Sequence, residues 1–138
     1  LWTAGTALPG GDMLNADFES YFDTLRSSYP KLPQPLLIRL ARAYGTRVGR
    51  LLRDAHDMED LGEDFGSGLT AREIDYLVEH EWARTAEDIL FRRSKLGLHV
   101  SAGADVAITG YLAKALFALG RCDATDIPTQ ERVEQLSV

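Results

Sequence analysis

VEHEWARTAEDILFRRSKLGL, residues Val78 to Leu98, contains the end of one helix, a break and the start of another. Thr85 and Asp88 have the spacing of a capping box, in which each side chain accepts the other residue's backbone N–H at a helix start. Apolar residues then recur at helical spacing. The inward positions predicted for this second helix are Ala86, Ile89, Leu90 and Gly97. The stretch therefore predicts helix, turn and helix, with no strand.

The segment HEWAR, His80 to Arg84, is one residue away from the zinc-protease pattern H-E-x-x-H. That pattern works because two imidazoles four residues apart on one helix face can both bind zinc. Arg84 stands where the second histidine would be, and a guanidinium is always charged and cannot coordinate a metal. His56 and His99 have no helical spacing relation to His80. The sequence predicts an exposed helical His80 and no metal site.

An arginine interrupts the apolar stripe of the second helix. At 3.6 residues per turn, Arg93 shares a face with Ile89 and Leu90, and a charge there is costly unless it is paired. Asp88 and Arg92 are spaced to pair on an adjoining face. We therefore expect a buried or interfacial ion network of Glu81, Asp88, Arg92 and Arg93 beside Trp82. Its role is to fix helix packing, or alternatively to present Arg92 or Arg93 to a partner domain.

The remaining periodic segments also indicate helices. Asn15 or Asp17 caps one through Ser28, Pro33 or Pro35 starts one that Gly45 stops, and Thr46 caps a short one to Asp54. A capping box at Thr70 and Glu73 follows an acidic loop over residues 56–69. The last predictions are a helix from about Ala102 to Leu119 that Ser101 caps, with Val106, Ala113, Leu116 and Phe117 inward, and a frayed helix over Pro128–Leu136.

These segments predict an all-α fold, a compact bundle of about six or seven helices. Residues 1–14, broken by Pro9, Gly10 and Gly11, are predicted to be a linker from an upstream domain, and residues 15–138 a single helical domain. A chain of 138 residues is long enough for one domain with a real core.

Composition and charge exclude several classes of protein. The formal net charge of −6 does not suit a nucleic-acid surface, and no apolar run is long enough to cross a membrane. The segment LTAREIDYL, Leu69–Leu77, resembles the first turn of some helix-turn-helix proteins. However, Thr70 to Gly97 holds five basic and six acidic residues, so a DNA-reading helix is not expected.

Two further features of the sequence do not indicate a catalytic or binding site. The loop GEDFGSG, Gly62–Gly68, precedes a helix start, but its glycines match neither nucleotide-binding pattern, and Glu63 and Asp64 would repel a phosphate. The single cysteine, Cys122, cannot form an intrachain disulfide and suits a reducing compartment. We therefore identify no catalytic, cofactor-binding or metal-binding residue in this chain.

One run resembles a known family. E-W-A-x-T-x-x-D-x-L-x-R-R-x-x-L-G, from Glu81 to Gly97, is similar to the C-terminal domain of the FAD-dependent glycerol-3-phosphate dehydrogenases and α-glycerophosphate oxidases. The segment Leu8–Asp12, LPGGD, resembles the one that follows their flavin domain, and Tyr44-Gly45 resembles a helix end of the family. The resemblance covers nearly the whole chain.

The resemblance implies a parent flavoenzyme that oxidises sn-glycerol 3-phosphate to dihydroxyacetone phosphate and passes electrons to a quinone, or to oxygen in the oxidases. FAD and the substrate-handling residues would lie in an upstream flavin domain, and this chain would be an inactive helical cap on that domain. The parent would be cytoplasmic and peripheral on the inner membrane face. An alternative interpretation is a free-standing helical module that binds proteins or DNA.

Overall fold

The computed structural model describes residues 6–120, and within them the chain is all-α, as predicted. Its five α-helices are α1 (Phe18–Ser28), α2 (Gln34–Tyr44), α3 (Val48–Leu52), α4 (Ala71–His80) and α5 (Ala104–Ala118). A π-helix covers Asp88–Arg93, and 3₁₀ turns cover Leu14–Ala16, Gly45–Arg47 and Glu59–Leu61. The chain divides into two compact units, one ending at Leu61 and the other beginning at Gly62. Each is described separately below.

The number of α-helices is slightly lower than the six or seven that the sequence predicts. The predicted helix after Thr85 is a π-helix for most of its length. The predicted helix Pro128–Leu136 lies outside the described residues, as does Cys122. The limits of the predicted linker and of the single domain remain predictions.

The first unit is built from α1, α2 and α3, with α2 packed against both of the others. The Asp17 carboxylate caps α1 by accepting the backbone N–H of Ser20 at 3.2 Å, as its position predicts. Pro33 precedes α2, and Gly45 ends it. The buried side chains form an aliphatic and aromatic core: Phe22, Leu25, Leu32, Leu36, Leu37, Leu40, Ala41, Tyr44, Val48, Leu51, Leu52, Ala55 and Leu61.

The N-terminal segment of this unit is anchored by two glycines that touch. Gly45 has φ +55° and ψ −136°, and a Cβ at this position would collide with the carbonyl oxygen of Gly10. That same oxygen accepts the backbone N–H of Thr46 at 3.0 Å. The Tyr21 hydroxyl also donates to the Gly45 carbonyl, at 2.6 Å. Residues around Gly10 are therefore docked on the end of α2.

The second unit places α4 against α5 and against the π-helix. The glycine-rich loop before α4 folds back on itself, because Phe65 N–H bonds to Leu69 O and Ala71 N–H bonds to Glu63 O, both at 2.8 Å. Helix α4 starts after Thr70 as predicted, but the Thr70 side chain makes no capping bond. The aliphatic and aromatic core of the unit consists of Phe65, Leu69, Ala71, Ile74, Tyr76, Leu77, Val78, Ala83, Ile89, Leu90, Leu96, Ala104, Ile108, Leu112 and Ala113.

The inward face of α5 differs from the predicted one. Its buried residues are Ala104, Ile108, Leu112 and Ala113, whereas Phe117 is exposed and Val106 and Leu116 are only half-buried. The helix is apolar almost all the way round, so its own periodicity does not select a face. The prediction for Val106, Leu116 and Phe117 was wrong for that reason. No helix within residues 6–120 is long and apolar enough to cross a membrane.

Candidate functional site

The break between α4 and the π-helix is an ordered turn with an exposed tryptophan at its tip. The N–H groups of Glu81 and Ala83 both bond to the carbonyl of Leu77, at 3.0 and 3.1 Å. Between them Trp82 has φ +59°, a left-handed conformation that costs an L-residue roughly 1–2 kcal/mol. Ala83 is buried, while 78% of Trp82 is exposed. The turn therefore holds a large apolar side chain in solvent at an energetic cost.

The capping box predicted at Thr85 and Asp88 is present. The Asp88 carboxylate accepts the backbone N–H of Arg84 at 3.1 Å and that of Thr85 at 3.2 Å. In return, the Thr85 hydroxyl oxygen accepts the N–H of Asp88 at 3.1 Å. These bonds satisfy N–H groups that a helix start leaves without partners, and so fix where the helix begins.

The helix that follows has a wider turn than the sequence analysis assumed. Ser94 N–H bonds to Ile89 O, five residues back, at 2.8 Å, and the Ser94 hydroxyl donates to the same oxygen at 2.7 Å. Ile89 and Leu90 are buried as predicted. The i→i+5 geometry rotates Arg93 off their face, and Arg93 is exposed. The placement of Arg93 within the apolar stripe was therefore wrong, because it assumed 3.6 residues per turn.

Of the predicted ion network, the structure forms one part. Arg92 donates to the Asp88 carboxylate at 2.8 Å and to Glu87 at 3.0 Å, with the Arg92 side chain 63% exposed. Within residues 6–120, no carboxylate pairs with Arg93, and Glu81 makes no ion pair. Because Trp82 and Arg93 point to solvent, the network is not buried within this chain. Whether a partner domain covers it stays a prediction.

Asp88 is the carboxylate on which this arrangement depends. The backbone N–H of Arg84, the Thr85 hydroxyl and backbone, and the Arg92 guanidinium hold the pKa of Asp88 below its ordinary value of 3.8. Its stabilising contribution is therefore complete above that value and is lost as the pH falls through the lower pKa of the folded state.

Replacing Asp88 with alanine is expected to lower the free energy of unfolding by about 1–2 kcal/mol at neutral pH, since two helix-start N–H groups lose their acceptor. Denaturant unfolding of the Asp88→Ala protein measures this. The difference from wild type should shrink as the pH falls below the ordinary value of 3.8. Glu87→Ala is the matched control, because an exposed ion pair contributes less than about 1 kcal/mol. Equal losses in the two variants would contradict the capping role.

His80 lies on the other side of the break. Its ring centroid is 4.9 Å from that of Tyr76, and its Nε2 is 3.6 Å from the Glu79 carboxylate. Within residues 6–120, no group of three histidine, cysteine or carboxylate side chains is placed to hold a metal ion. His80 is thus an exposed residue whose ring lies beside that of Tyr76.

A second polar feature, which the sequence analysis did not identify, lies between α4 and α5. A cleft of about 370 Å³ is lined by Asp75, Glu79, Tyr111, Lys114, Ala118 and Leu119, among others. The Tyr111 hydroxyl donates to the Asp75 carboxylate at 3.0 Å. Burial, then the negative charge and the hydrogen bond of Asp75, raise the pKa of Tyr111 to about 12. No periodicity rule pairs residues 36 positions apart, so only the fold could bring them together.

We expect Tyr111 to ionise near pH 12, well above the ordinary tyrosine pKa of 10.0. The contribution of its neutral form to stability is complete below pH 10 and is lost as the pH rises through the folded-state value. Phenolate absorbance during an alkaline titration measures the ionisation, and the Tyr111→Phe protein identifies which phase belongs to this residue. A phase that disappears in Tyr111→Phe but has a midpoint at the ordinary value would contradict the Asp75 contact.

Comparison with known proteins now gives the family. The family model for the C-terminal domain of alpha-glycerophosphate oxidase matches residues 1–116. The chain belongs to this family. The match covers the first unit, most of the second and the whole of Trp82–Leu98, so the run from Glu81 to Gly97 was a reliable signal.

The curated relatives of this C-terminal domain include two dehydrogenases of glycerol 3-phosphate and one of another polyol phosphate. A glycerol-3-phosphate dehydrogenase of Pseudomonas aeruginosa is 50% identical over 111 residues, which is 80% of this chain and 22% of the relative. A D-erythritol 1-phosphate dehydrogenase of Brucella abortus is 45% identical over 100 residues, 72% of this chain and 20% of the relative. The aerobic glycerol-3-phosphate dehydrogenase of Escherichia coli is 40% identical over 113 residues, 82% of this chain and 22% of the relative. The chain thus spans about a fifth of the length of the relatives that it matches.

Proposed function

We propose that this C-terminal domain serves an FAD-dependent dehydrogenase that oxidises sn-glycerol 3-phosphate to dihydroxyacetone phosphate. The observation that carries the proposal is the 50% identity to the Pseudomonas aeruginosa glycerol-3-phosphate dehydrogenase over 80% of the chain. The reaction removes two electrons and two protons from a secondary alcohol. Bound FAD would accept the electrons and pass them to a quinone, or to oxygen in an oxidase.

The residues of this chain do not fit a flavin site. The Gly62–Gly68 loop would have to bind a pyrophosphate through its N–H groups, but the Asp64 carboxylate already occupies the N–H of Gly66 at 2.8 Å. The neighbouring Glu63 adds another negative charge near the loop. We therefore assign FAD and substrate chemistry to the flavin domain upstream, and a structural, non-catalytic role to this chain.

The role proposed for the domain is that of a helical cap packed on the flavin domain. The polar side chains between α4 and α5 and in Trp82–Leu98 make hydrogen bonds within the domain, such as Tyr111 to Asp75 and Thr85 N–H to Asp88. These bonds do not pair a nucleophile with a base. We propose a cytoplasmic protein that is peripheral on the inner membrane face, as the resemblance of the sequence implies. We expect no nucleic-acid partner, since the net charge is −6.

One relative favours a second candidate substrate. The Brucella abortus relative, 45% identical over 100 residues, is a D-erythritol 1-phosphate dehydrogenase. Both substrates carry a phosphate and an oxidisable alcohol, so the two functions share their chemistry and differ in substrate length.

A steady-state assay of the full-length protein with an artificial electron acceptor separates the two functions. We expect kcat/KM for sn-glycerol 3-phosphate to exceed that for D-erythritol 1-phosphate by about tenfold or more, since a misfitting substrate loses transition-state binding. The opposite order would assign the second function. Activity with neither substrate would contradict the proposal.

A further inference from the structure

We propose that Trp82–Leu98, the tryptophan–arginine segment, is the surface by which this domain docks on an acidic-rimmed apolar pocket of the domain that precedes it. This inference rests on the proposed function, in which the chain is one domain of a longer flavoenzyme. It assigns the partner and the docking residues, which the family match leaves open.

The segment concentrates exposed apolar side chains. Trp82, Phe91 and Leu98 are 78%, 54% and 88% exposed. The Phe91 ring lies against Gly97, where an added Cβ would collide with it. Groups of large exposed apolar side chains mark interaction sites more often than isolated exposed leucines do.

The segment also concentrates unpaired positive charge. Within residues 6–120, no carboxylate pairs with Arg84, Arg93 or Lys95, whereas Arg92 is neutralised by Asp88 and Glu87. Tryptophan and arginine are the side chains that contribute most to binding at the centres of protein interfaces. Three cations that have no partner carboxylate within residues 6–120, in the same segment as exposed apolar side chains, would complement a pocket rimmed by carboxylates.

The backbone of the segment is held in unusual geometry at both ends. Trp82 and Lys95 both have φ +59°, although neither is glycine, and the π-helix Asp88–Arg93 lies between them. Such strain persists only where the surrounding structure enforces it, and it clusters at functional positions. The segment is therefore preorganised, which lowers the entropy cost of docking.

A protein partner fits these observations better than a membrane. The segment holds four basic and two acidic residues, and Glu79 and Glu81 lie immediately before it. Binding to anionic lipid is typical of clusters of four to eight basic residues without interspersed acids. The curated relatives match this chain over only 22% of their own length, so the family's C-terminal domain has a large covalently linked neighbour to dock on.

Zero-length carbodiimide cross-linking of the full-length protein tests which surface Lys95 meets. We expect Lys95 to be coupled to an aspartate or glutamate that precedes this domain in the chain. Lys31, exposed in the first unit, is the control and is not expected to give that product. Coupling of Lys95 only within residues 1–138, or no coupling, would overturn the proposal.

Hydroxyl-radical footprinting of the same full-length protein tests burial. We compare the oxidation rate of Trp82 in the native and the denatured chain, with the buried Phe22 as the protected reference. Docking should slow Trp82 oxidation about tenfold, since a hot-spot tryptophan is fully desolvated. Arg93→Glu should restore much of the rate, whereas Arg50→Glu in the first unit should not. A native rate close to the denatured one would overturn the proposal.

Two other occupants would give different patterns. Protection of Trp82 only when vesicles of anionic phospholipid are added would assign the segment to a membrane, and protection only at concentrations where the protein dimerises would assign it to a second copy. Either result overturns docking on the upstream domain. The flavin spectrum of the same sample separates the two proposals. If the protein holds flavin but Trp82 is unprotected, only the docking proposal is wrong. If the protein holds no flavin, the proposed function is wrong.

Discussion

Gly45→Ala should destabilise the first unit more than any other small substitution in it, by roughly 3 kcal/mol or more. The backbone at Gly45 has φ +55° and ψ −136°, which L-residues avoid, and the added methyl group would meet the Gly10 carbonyl oxygen. The contact is backbone against backbone, so no side chain can move to relieve it. Thermal and denaturant unfolding of the variant measure the loss.

Gly110→Ala is the matched control for this prediction. Gly110 lies within α5, and nothing stands within 4 Å of the position of its Cβ. Alanine there should stabilise the helix by about 0.5–1 kcal/mol, because glycine is a poor helix former. If Gly45→Ala and Gly110→Ala changed stability in the same direction, the docking of the Gly10 segment on the end of α2 would be wrong.

Leu77→Ala should lower the free energy of unfolding by about 2–5 kcal/mol through loss of buried contacts and creation of a cavity. Leu77 is fully buried on α4, and its carbonyl oxygen accepts the two N–H groups that shape the turn at Trp82. Truncating its side chain should therefore weaken the core of the second unit next to the tryptophan–arginine segment. Denaturant unfolding gives the magnitude.

Leu14→Ala is the comparison for Leu77→Ala, because Leu14 is 86% exposed. An exposed leucine away from special backbone contacts should change stability by no more than about 0.5 kcal/mol. A loss in Leu77→Ala no larger than that in Leu14→Ala would mean that α4 is not packed as the structure describes.

Local signals in the sequence were sufficient to place most helix ends. Asp17, Gly45 and the Thr85–Asp88 pair act within four residues of the ends that they define, so their effect is local. The position of Thr70 at the start of α4 was also correct, although its side chain does not form the capping bond. Such signals depend on backbone geometry that short segments already determine.

Features that depend on tertiary packing were not predictable in this way. α5 is apolar on nearly every side, so only tertiary packing, which includes its contact with α4, selects Ile108 and Leu112 as inward residues. The π-helical turn places Arg93 away from the face of Ile89 and Leu90, and a count at 3.6 residues per turn cannot reveal that change of helical period. The contact of Asp75 with Tyr111 joins distant parts of the chain for the same reason.

The sequence predicted which residues of the candidate site pair with each other, but not how exposed their side chains are. Asp88 and Arg92 pair as their i, i+4 spacing indicates. The expected place of Arg93 in a buried or interfacial ion network was inferred from the cost of an unpaired charge in an apolar stripe, and that cost disappears when Arg93 faces solvent. Their exposure is what makes a docking role for the segment worth testing.

The most direct test of the central proposal is the flavin absorbance of the full-length protein during anaerobic addition of sn-glycerol 3-phosphate. The same spectrum should be recorded for a variant that lacks residues 1–138. We predict that the intact protein binds flavin and is bleached by the substrate. A truncated protein that keeps its flavin and bleaches as well would support the non-catalytic role assigned to this domain. An intact protein that holds no flavin, or whose flavin is not bleached, would contradict the account.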